Sequence, residues 1–199
     1  MRRFSAEVTS HKERLTELDS AIGDADHGTN MARGFQAVVG KLDESRPEAI
    51  DAAFKSVGMT LVSTVGGASG PLYGTFFLRF AQALGPTSLT DAAGLGAALR
   101  AGLGGVVARG KAVAEDKTMY DAMAPACDAF DAAVAEGAAA GAAASAAADA
   151  ADRGRDATLP LVARKGRASY LGDRSAGHLD PGATSTALLF HALADALNA

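Results

Sequence analysis

Three carboxylates fall within eight residues in Asp19-Ser20-Ala21-Ile22-Gly23-Asp24-Ala25-Asp26, followed by His27-Gly28-Thr29-Asn30. No Lys or Arg stands among them to offset the charge, so the segment calls for a cation. Carboxylates at this density suit a hard divalent ion, and magnesium that keeps some waters while touching phosphate needs only one or two of them. Three could serve two ions. An EF-hand loop counted from Asp24 would need a ligand where Gly28 stands and Glu where Phe35 stands, so that pattern fails. A phosphatase of the Asp-x-Asp type wants a buried apolar strand before it, whereas Leu15-Thr16-Glu17-Leu18 is polar and helix-like. The alternative without a ligand is a solvated acidic turn in which an Asp or Thr29 caps the next helix.

Gly66-Gly67-Ala68-Ser69-Gly70-Pro71 places small residues before a helix N-terminus, where free N–H groups and the macrodipole favour an anion. The segment lacks the Lys of a Walker loop, and Gly94-x-Gly96 lacks both a third glycine and a preceding strand, so neither nucleotide fingerprint is present. A tight turn between packed helices accounts for it equally well. Residues 161–181 form a connection far longer than helix bundles need, carrying Arg164, Lys165, Arg167 and Arg174. Those cations can pair with the aspartates or meet phosphates and a partner protein. Segment 110–117 brings Gly110, Lys111, Asp116 and Lys117 ahead of Thr118-Met119, where a methionine could flank a flat base or simply fill the core. His11, His191 and Cys127 read as packing or surface residues, and no Ser-His-Asp or Cys-His arrangement is supported.

The elements that must position these segments are helices. Alanine dominates, isoleucine occurs only at Ile22 and Ile50, and tryptophan is absent, so the predicted class is all-α. Ile50, Phe54, Val57, Leu61, Val62 and Val65 predict one core face, Leu72, Phe76, Phe80 and Leu84 a second, and Leu188-Leu189, Ala192-Leu193 and Ala196-Leu197 a third. Caps and breakers predict eight helices at 3–17, 29–42, 47–65, 71–84, 89–109, 118–135, 138–160 and 182–197, with Pro47 as a first helical residue and Ser88-x-x-Asp91 as a capping box. The alanine-rich stretch 137–151 is read as a thin-faced helix. Connections after odd-numbered helices, 18–28, 66–70, 110–117 and 161–181, are glycine-rich and polar. An up-and-down bundle gathers them at one end, which is the candidate site.

With 199 residues, 48% of them hydrophobic, the expectation is one domain over 1–199 with a sizeable core. Nineteen Lys and Arg against 23 Asp and Glu leave a net charge of −4 with no basic block, which argues against a nucleic-acid partner. A lone cysteine, no signal-peptide core and no membrane span suggest a cytoplasmic protein.

Taken in order, Leu18-Asp19 through Gly28, Gly67-Ala68-Ser69-Gly70-Pro71, Asp116-Lys117-Thr118-Met119, Gly166-Arg167-Ala168-Ser169-Tyr170 and Asp180-Pro181-Gly182 closely resemble the nucleotide-binding subunits of the dihydroxyacetone kinases, the DhaL family. The resemblance runs from about Leu15 to the C-terminus. It implies an eight-helix antiparallel barrel that binds ADP or ATP with two magnesium ions at one end. By resemblance, Asp19, Asp24 and Asp26 hold magnesium, and His27, Gly28, Thr29, Asn30, Ala68 and Ser69 line the nucleotide and its phosphates. Gly110, Met119, Arg167, Asp180, Pro181 and Gly182 complete the carried-over contacts. No catalytic nucleophile is implied in this chain: the acceptor, dihydroxyacetone, is held by a histidine of a separate DhaK subunit, and a phosphohistidine DhaM donor recharges the nucleotide in many bacterial systems. A noncatalytic helical adaptor is the competing reading, and a kinase subunit acting on another small sugar or a carrier-bound fatty acid is a third.

Overall fold

The computed structural model describes residues 1–199 as nine α-helices and one 3-10 helix, without strands. The α-helices are α1 (Arg2–Ser10), α2 (Lys12–Ile22), α3 (His27–Ser45), α4 (Ile50–Thr64), α5 (Ser69–Leu84), α6 (Ala92–Gly110), α7 (Met119–Ala135), α8 (Ala140–Ala157) and α9 (Pro181–Leu197); the 3-10 helix is Arg167–Ser175. Consecutive helices pack against one another from α2 to α9, and α9 returns to α1 and α2, closing a ring. The eight rods expected from the sequence are there, the first in two pieces. No helix is long and apolar enough to cross a membrane.

The break in the first rod has a packing cause. Phe4, Val8, Leu15, Leu18 and Ile22 are buried, and an unbroken helix would place His11 on the same face, three residues after Val8 and four before Leu15. The chain instead turns at His11 (φ −95°, ψ 9°), leaving the imidazole exposed with Nδ1 2.9 Å from the Glu7 carbonyl. The second piece then continues to Ile22, so Asp19 sits on a helix and not in the loop the sequence predicts from residue 18.

Aromatic rings fill the barrel on one side. Phe35 contacts Phe4 at 4.5 Å, Tyr73 at 6.3 Å and Phe77 at 6.4 Å between ring centroids, mostly edge to face. The other side is built from small residues: Ala143, Ala144, Ala147, Ala148 and Ala151 of α8 are buried, which lets α7 and α9 approach it closely. A Cβ on Gly154 would strike the Asp121 carbonyl, so the alanine-rich segment is a close-packing helix and not a linker.

Several local expectations are corrected. Pro47 precedes α4, because entry into that helix is set across the far end of the barrel by the Ile50 amide donating to the Thr87 carbonyl at 2.7 Å. Asp91 caps α6 by accepting from the Gly94 amide at 2.7 Å, so no box forms from Ser88. Val62 is half exposed at the edge of its stripe, and Ala196 and Leu197 lie beyond the core at the end of α9. The capping box falls instead on Thr118 and Asp121 at the start of α7. The 161–181 connection contains the 3-10 helix.

Phe35 is fully buried at the centre of the aromatic cluster. Phe35→Ala is expected to lower unfolding stability by about 3–5 kcal/mol, measured by chemical denaturation; a loss below about 1 kcal/mol would contradict the central role of that ring.

Candidate functional site

Asp19 occupies the last turn of α2, and its Oδ2 accepts the amides of Asp26 at 2.8 Å and His27 at 3.0 Å. These bonds fold residues 23–26 back so that Asp19, Asp24 and Asp26 each offer an oxygen within 4.8 Å of the others. Two backbone features permit the turn. A Cβ on Gly23 would collide with Asp19 Oδ1, and Ala25 adopts a left-handed φ of 62° between the two outer aspartates. A non-glycine residue there stores strain of roughly 1 kcal/mol or more. The donor set is three hard carboxylates, and the only cation paired with them is Arg167, whose Nε lies 2.9 Å from Asp24 Oδ2. Arg174 forms no ion pair and is exposed. The residues therefore fit a divalent ion of the magnesium type.

Two helix N-termini flank the cluster. In the first turn of α3 the Asn30 amide closes on Asp26, while the Gly28 and Thr29 amides have no intrahelical acceptor. Gly67 (φ 65°) turns the chain into α5, which opens at Ser69. His27 and Asn30 in the first turn of α3 and Ser69 at the start of α5 border the same space, so two positive dipole ends lie beside it.

The His27 ring lies between these helices and α9, with Nδ1 3.0 Å from Ser69 Oγ and Nε2 3.0 Å from Ser185 Oγ. Burial pushes its pKa down to about 4, against the opposing pull of Asp19, so the ring is neutral at pH 7. Tyr73 OH reaches Ser185 at 2.8 Å and Thr186 at 3.0 Å, and burial pushes its pKa up to about 12. Asp180 caps α9 through the Ala183 amide at 2.6 Å. Burial, with the negative charges of Asp121 and Asp19 adding to it, raises the Asp180 pKa to about 7 against the effects of that amide and Lys117.

Lys117 is almost wholly buried in a left-handed conformation (φ 60°). Its Nζ donates to the carbonyls of Thr158 at 3.0 Å, Leu161 at 3.0 Å and Ser175 at 2.8 Å, tying the long 158–175 segment to the start of α7. That tether holds Arg167 over the aspartates.

These elements enclose a cavity of about 450 Å³ at the end where the four polar connections meet. Among the residues predicted from sequence, Asp19, Asp24, Asp26, His27, Asn30, Ala68, Ser69, Gly110, Met119, Arg167, Asp180, Pro181 and Gly182 line it. Gly28 and Thr29 do not. A Cβ on Gly28 would run into the Lys12 carbonyl and Thr16, so this glycine permits close packing of α3 on α2, and the Thr29 side chain is exposed. Only their amides remain available. Sequence reasoning missed Leu72 and Tyr73, which line the cavity three and four residues after Ser69, and helical spacing could have found both. Ser185 and Thr186 carried no such signal.

An acidic cluster beside two helix N-termini, under a cationic strap, defines a site for a metal-bound phosphate ester. The chain belongs to the DAK2 domain family, whose model matches residues 21–195. It is 46% identical over 190 residues to the ADP-binding subunit DhaL of PEP-dependent dihydroxyacetone kinase 1 from Listeria innocua, covering 96% of this chain and 90% of that protein. The corresponding DhaL subunit of Escherichia coli is 46% identical over 186 residues, covering 94% of this chain and 89% of that protein. Among solved structures, the dihydroxyacetone kinase of C. freundii in complex with AMP-PNP and Mg²⁺ superposes with a TM-score of 0.72 at 28% identity, over 97% of this chain and 32% of that one.

The two buried acids predict an unusual pH response of the metal-free protein. His27, with its pKa lowered to about 4, contributes stability above about pH 6.5 that is lost as pH falls toward 4. Asp180, raised to about 7, has the opposite sign: its contribution is complete below about pH 4 and is lost as pH rises through 7. The two slopes offset one another across the shared window. Asp180→Asn, which keeps a capping side chain, is expected to unmask the histidine, so that stability drops by up to about 1.4 kcal/mol per pH unit between pH 6.5 and 4 relative to wild type. Parallel wild-type and variant curves from denaturation at stepped pH would contradict the paired shifts.

Proposed function

We propose that this chain is the nucleotide-holding subunit of a dihydroxyacetone kinase, presenting ADP or ATP with two magnesium ions to an acceptor bound on a separate DhaK-type subunit. The observation that carries the reading is the gathering of Asp19, Asp24 and Asp26 within 4.8 Å beside the N-termini of α3 and α5 at the mouth of a cavity. The names of the DhaL relatives, which cover nearly their whole length, support the same activity.

In this reading Asp19, Asp24 and Asp26 hold the metal ions. When bound, magnesium supplies charge neutralisation on the diphosphate and the transferring phosphoryl group. The chain does the rest by position. The free amides of Gly28 and Thr29 and the hydroxyl of Ser69 donate to phosphate oxygens. Asn30 and Ala68 border that subsite, and Arg167 can exchange its contact with Asp24 for one with phosphate. Gly110 and Met119 flank the base, with Pro181, Gly182 and the Asp180 cap forming the opposite wall. The attacking hydroxyl belongs to dihydroxyacetone on the partner, and a DhaM-type phosphohistidine donor recharges the nucleotide. Cys127 is buried and unpaired, in keeping with a reducing compartment, and we place the reaction in the cytoplasm.

Asp24 is the exposed member of the cluster, so its replacement leaves the fold least disturbed. Asp24→Asn is expected to weaken magnesium-dependent ADP binding at least about tenfold with unchanged far-UV helicity. Calorimetric titration checks it, and wild-type affinity in the variant would refute the ligand assignment. Mixing the wild-type protein with a DhaK-type subunit, dihydroxyacetone and either ATP or a phosphohistidine donor identifies acceptor and donor together: dihydroxyacetone phosphate is the expected product, and none with either donor would count against the assignment.

A further inference from the structure

We infer that Arg33 is a positioning residue of the nucleotide site: from outside the cavity its guanidinium holds the Asn30 carboxamide so that the amide nitrogen, Nδ2, meets a phosphate oxygen as a donor. The inference rests on the nucleotide reading above and adds to it a residue that does not line the site.

Asn30 and Arg33 lie three residues apart in the first two turns of α3, and Arg33 Nη2 donates to Asn30 Oδ1 at 2.8 Å. The same nitrogen lies 3.3 Å from the carbonyl of Thr64, the last residue of α4, where carbonyls have no intrahelical amide and the dipole end is negative. Both acceptors are neutral, so the guanidinium is held here by hydrogen bonds and not by an ion pair. Asn30 is buried, whereas Arg33 is exposed. The carboxamide also packs on Gly66, which lines the cavity: a Cβ there would stand 3.1 Å from Nδ2 and 3.4 Å from Cγ and Oδ1.

The contact with arginine settles which end of the carboxamide is which. A guanidinium has donors only, so the atom it meets must be the oxygen; turned over, the group would set two donors 2.8 Å apart. Nδ2 sits on the same carbon, so fixing Oδ1 fixes Nδ2 as well. Nδ2 donates to no group of the protein, yet it is not sealed in, because the one sealed side-chain nitrogen or oxygen without a partner is Asp51 Oδ1. Asn30 and Gly66 both border the cavity, so Nδ2 is reached from there. Its two protons are available to a ligand in that space.

Orientation matters because the two ends of the carboxamide answer a phosphate oppositely. Nδ2–H donates to an anionic oxygen in a charge-assisted bond, whereas Oδ1 turns lone pairs toward it. The torsion about Cβ–Cγ of asparagine is broad and two-fold, so without Arg33 the side chain has to be ordered at the moment of binding. The guanidinium also polarises the carboxamide, which makes Nδ2–H a stronger donor. An arginine that drew the phosphate by charge alone would need no Asn30, and that difference is measurable.

Calorimetric titration of ADP with Mg²⁺ into wild type, Arg33→Met, Asn30→Ala and the double variant tests this, with far-UV spectra to check that the helices persist. Asn30→Ala is expected to weaken binding about tenfold and Arg33→Met about two- to tenfold. Once Asn30 is gone, the arginine change is expected to add less than about twofold. In proton–nitrogen NMR of wild type, the Asn30 side-chain amide resonances are expected to shift when ADP and Mg²⁺ are added. Wild-type affinity in Arg33→Met, an equal loss from that change with and without Asn30, or Asn30 amide resonances unmoved by bound ADP would overturn the inference alone. Absence of ADP binding by wild type would overturn the functional reading and the inference with it.

Discussion

Three negative charges on one short turn repel one another, and the active end of the barrel is arranged around that repulsion. An oxygen of each lies within 4.8 Å of an oxygen of the other two, close enough for like charges to repel. The chain offsets part of it with the two amides on Asp19, the positive end of α3 and the Arg167 guanidinium. A cation offsets the rest. The same constraint explains why the turn accepts a strained Ala25 and requires Gly23: both conformations exist to converge carboxylates that would otherwise splay apart.

The remaining architecture serves this convergence. Asp19 is held on a rigid helix and not on a loop, because α2 runs on to Ile22 and buries Leu15, Leu18 and Ile22 against the barrel. The strap bearing Arg167 is fixed from below by the Lys117 ammonium, whose contacts with Thr158, Leu161 and Ser175 leave that segment little freedom. The aromatic half of the core supports α3 and α5, the two helices whose N-termini face the cluster.

Much of this was legible in the sequence because the informative residues are close together there. The aspartates lie within eight positions, and the alternation of short and glycine-rich connections was enough to place four loops at one end. Leu15, Leu18 and Ile22 already carried the spacing of a helix through Asp19; the polar look of Asp19-Ser20 obscured it. What could not be read was long-range. Tyr73 meets Ser185 across 112 positions, and Lys117 meets Ser175 across 58, with no pattern at either end to announce the pairing. Gly28 and Thr29, adjacent to His27 in the sequence, do not line the cavity, because sequence position does not tell which way a residue faces on its helix.

The most direct test is crystallographic. Crystals grown with ADP and Mn²⁺ in place of Mg²⁺, measured at the manganese edge, are predicted to show anomalous peaks within bonding distance of Asp19, Asp24 and Asp26, with the diphosphate beside them. Manganese bound elsewhere while ADP fills the cavity, with Arg167 still paired to Asp24, would contradict the account.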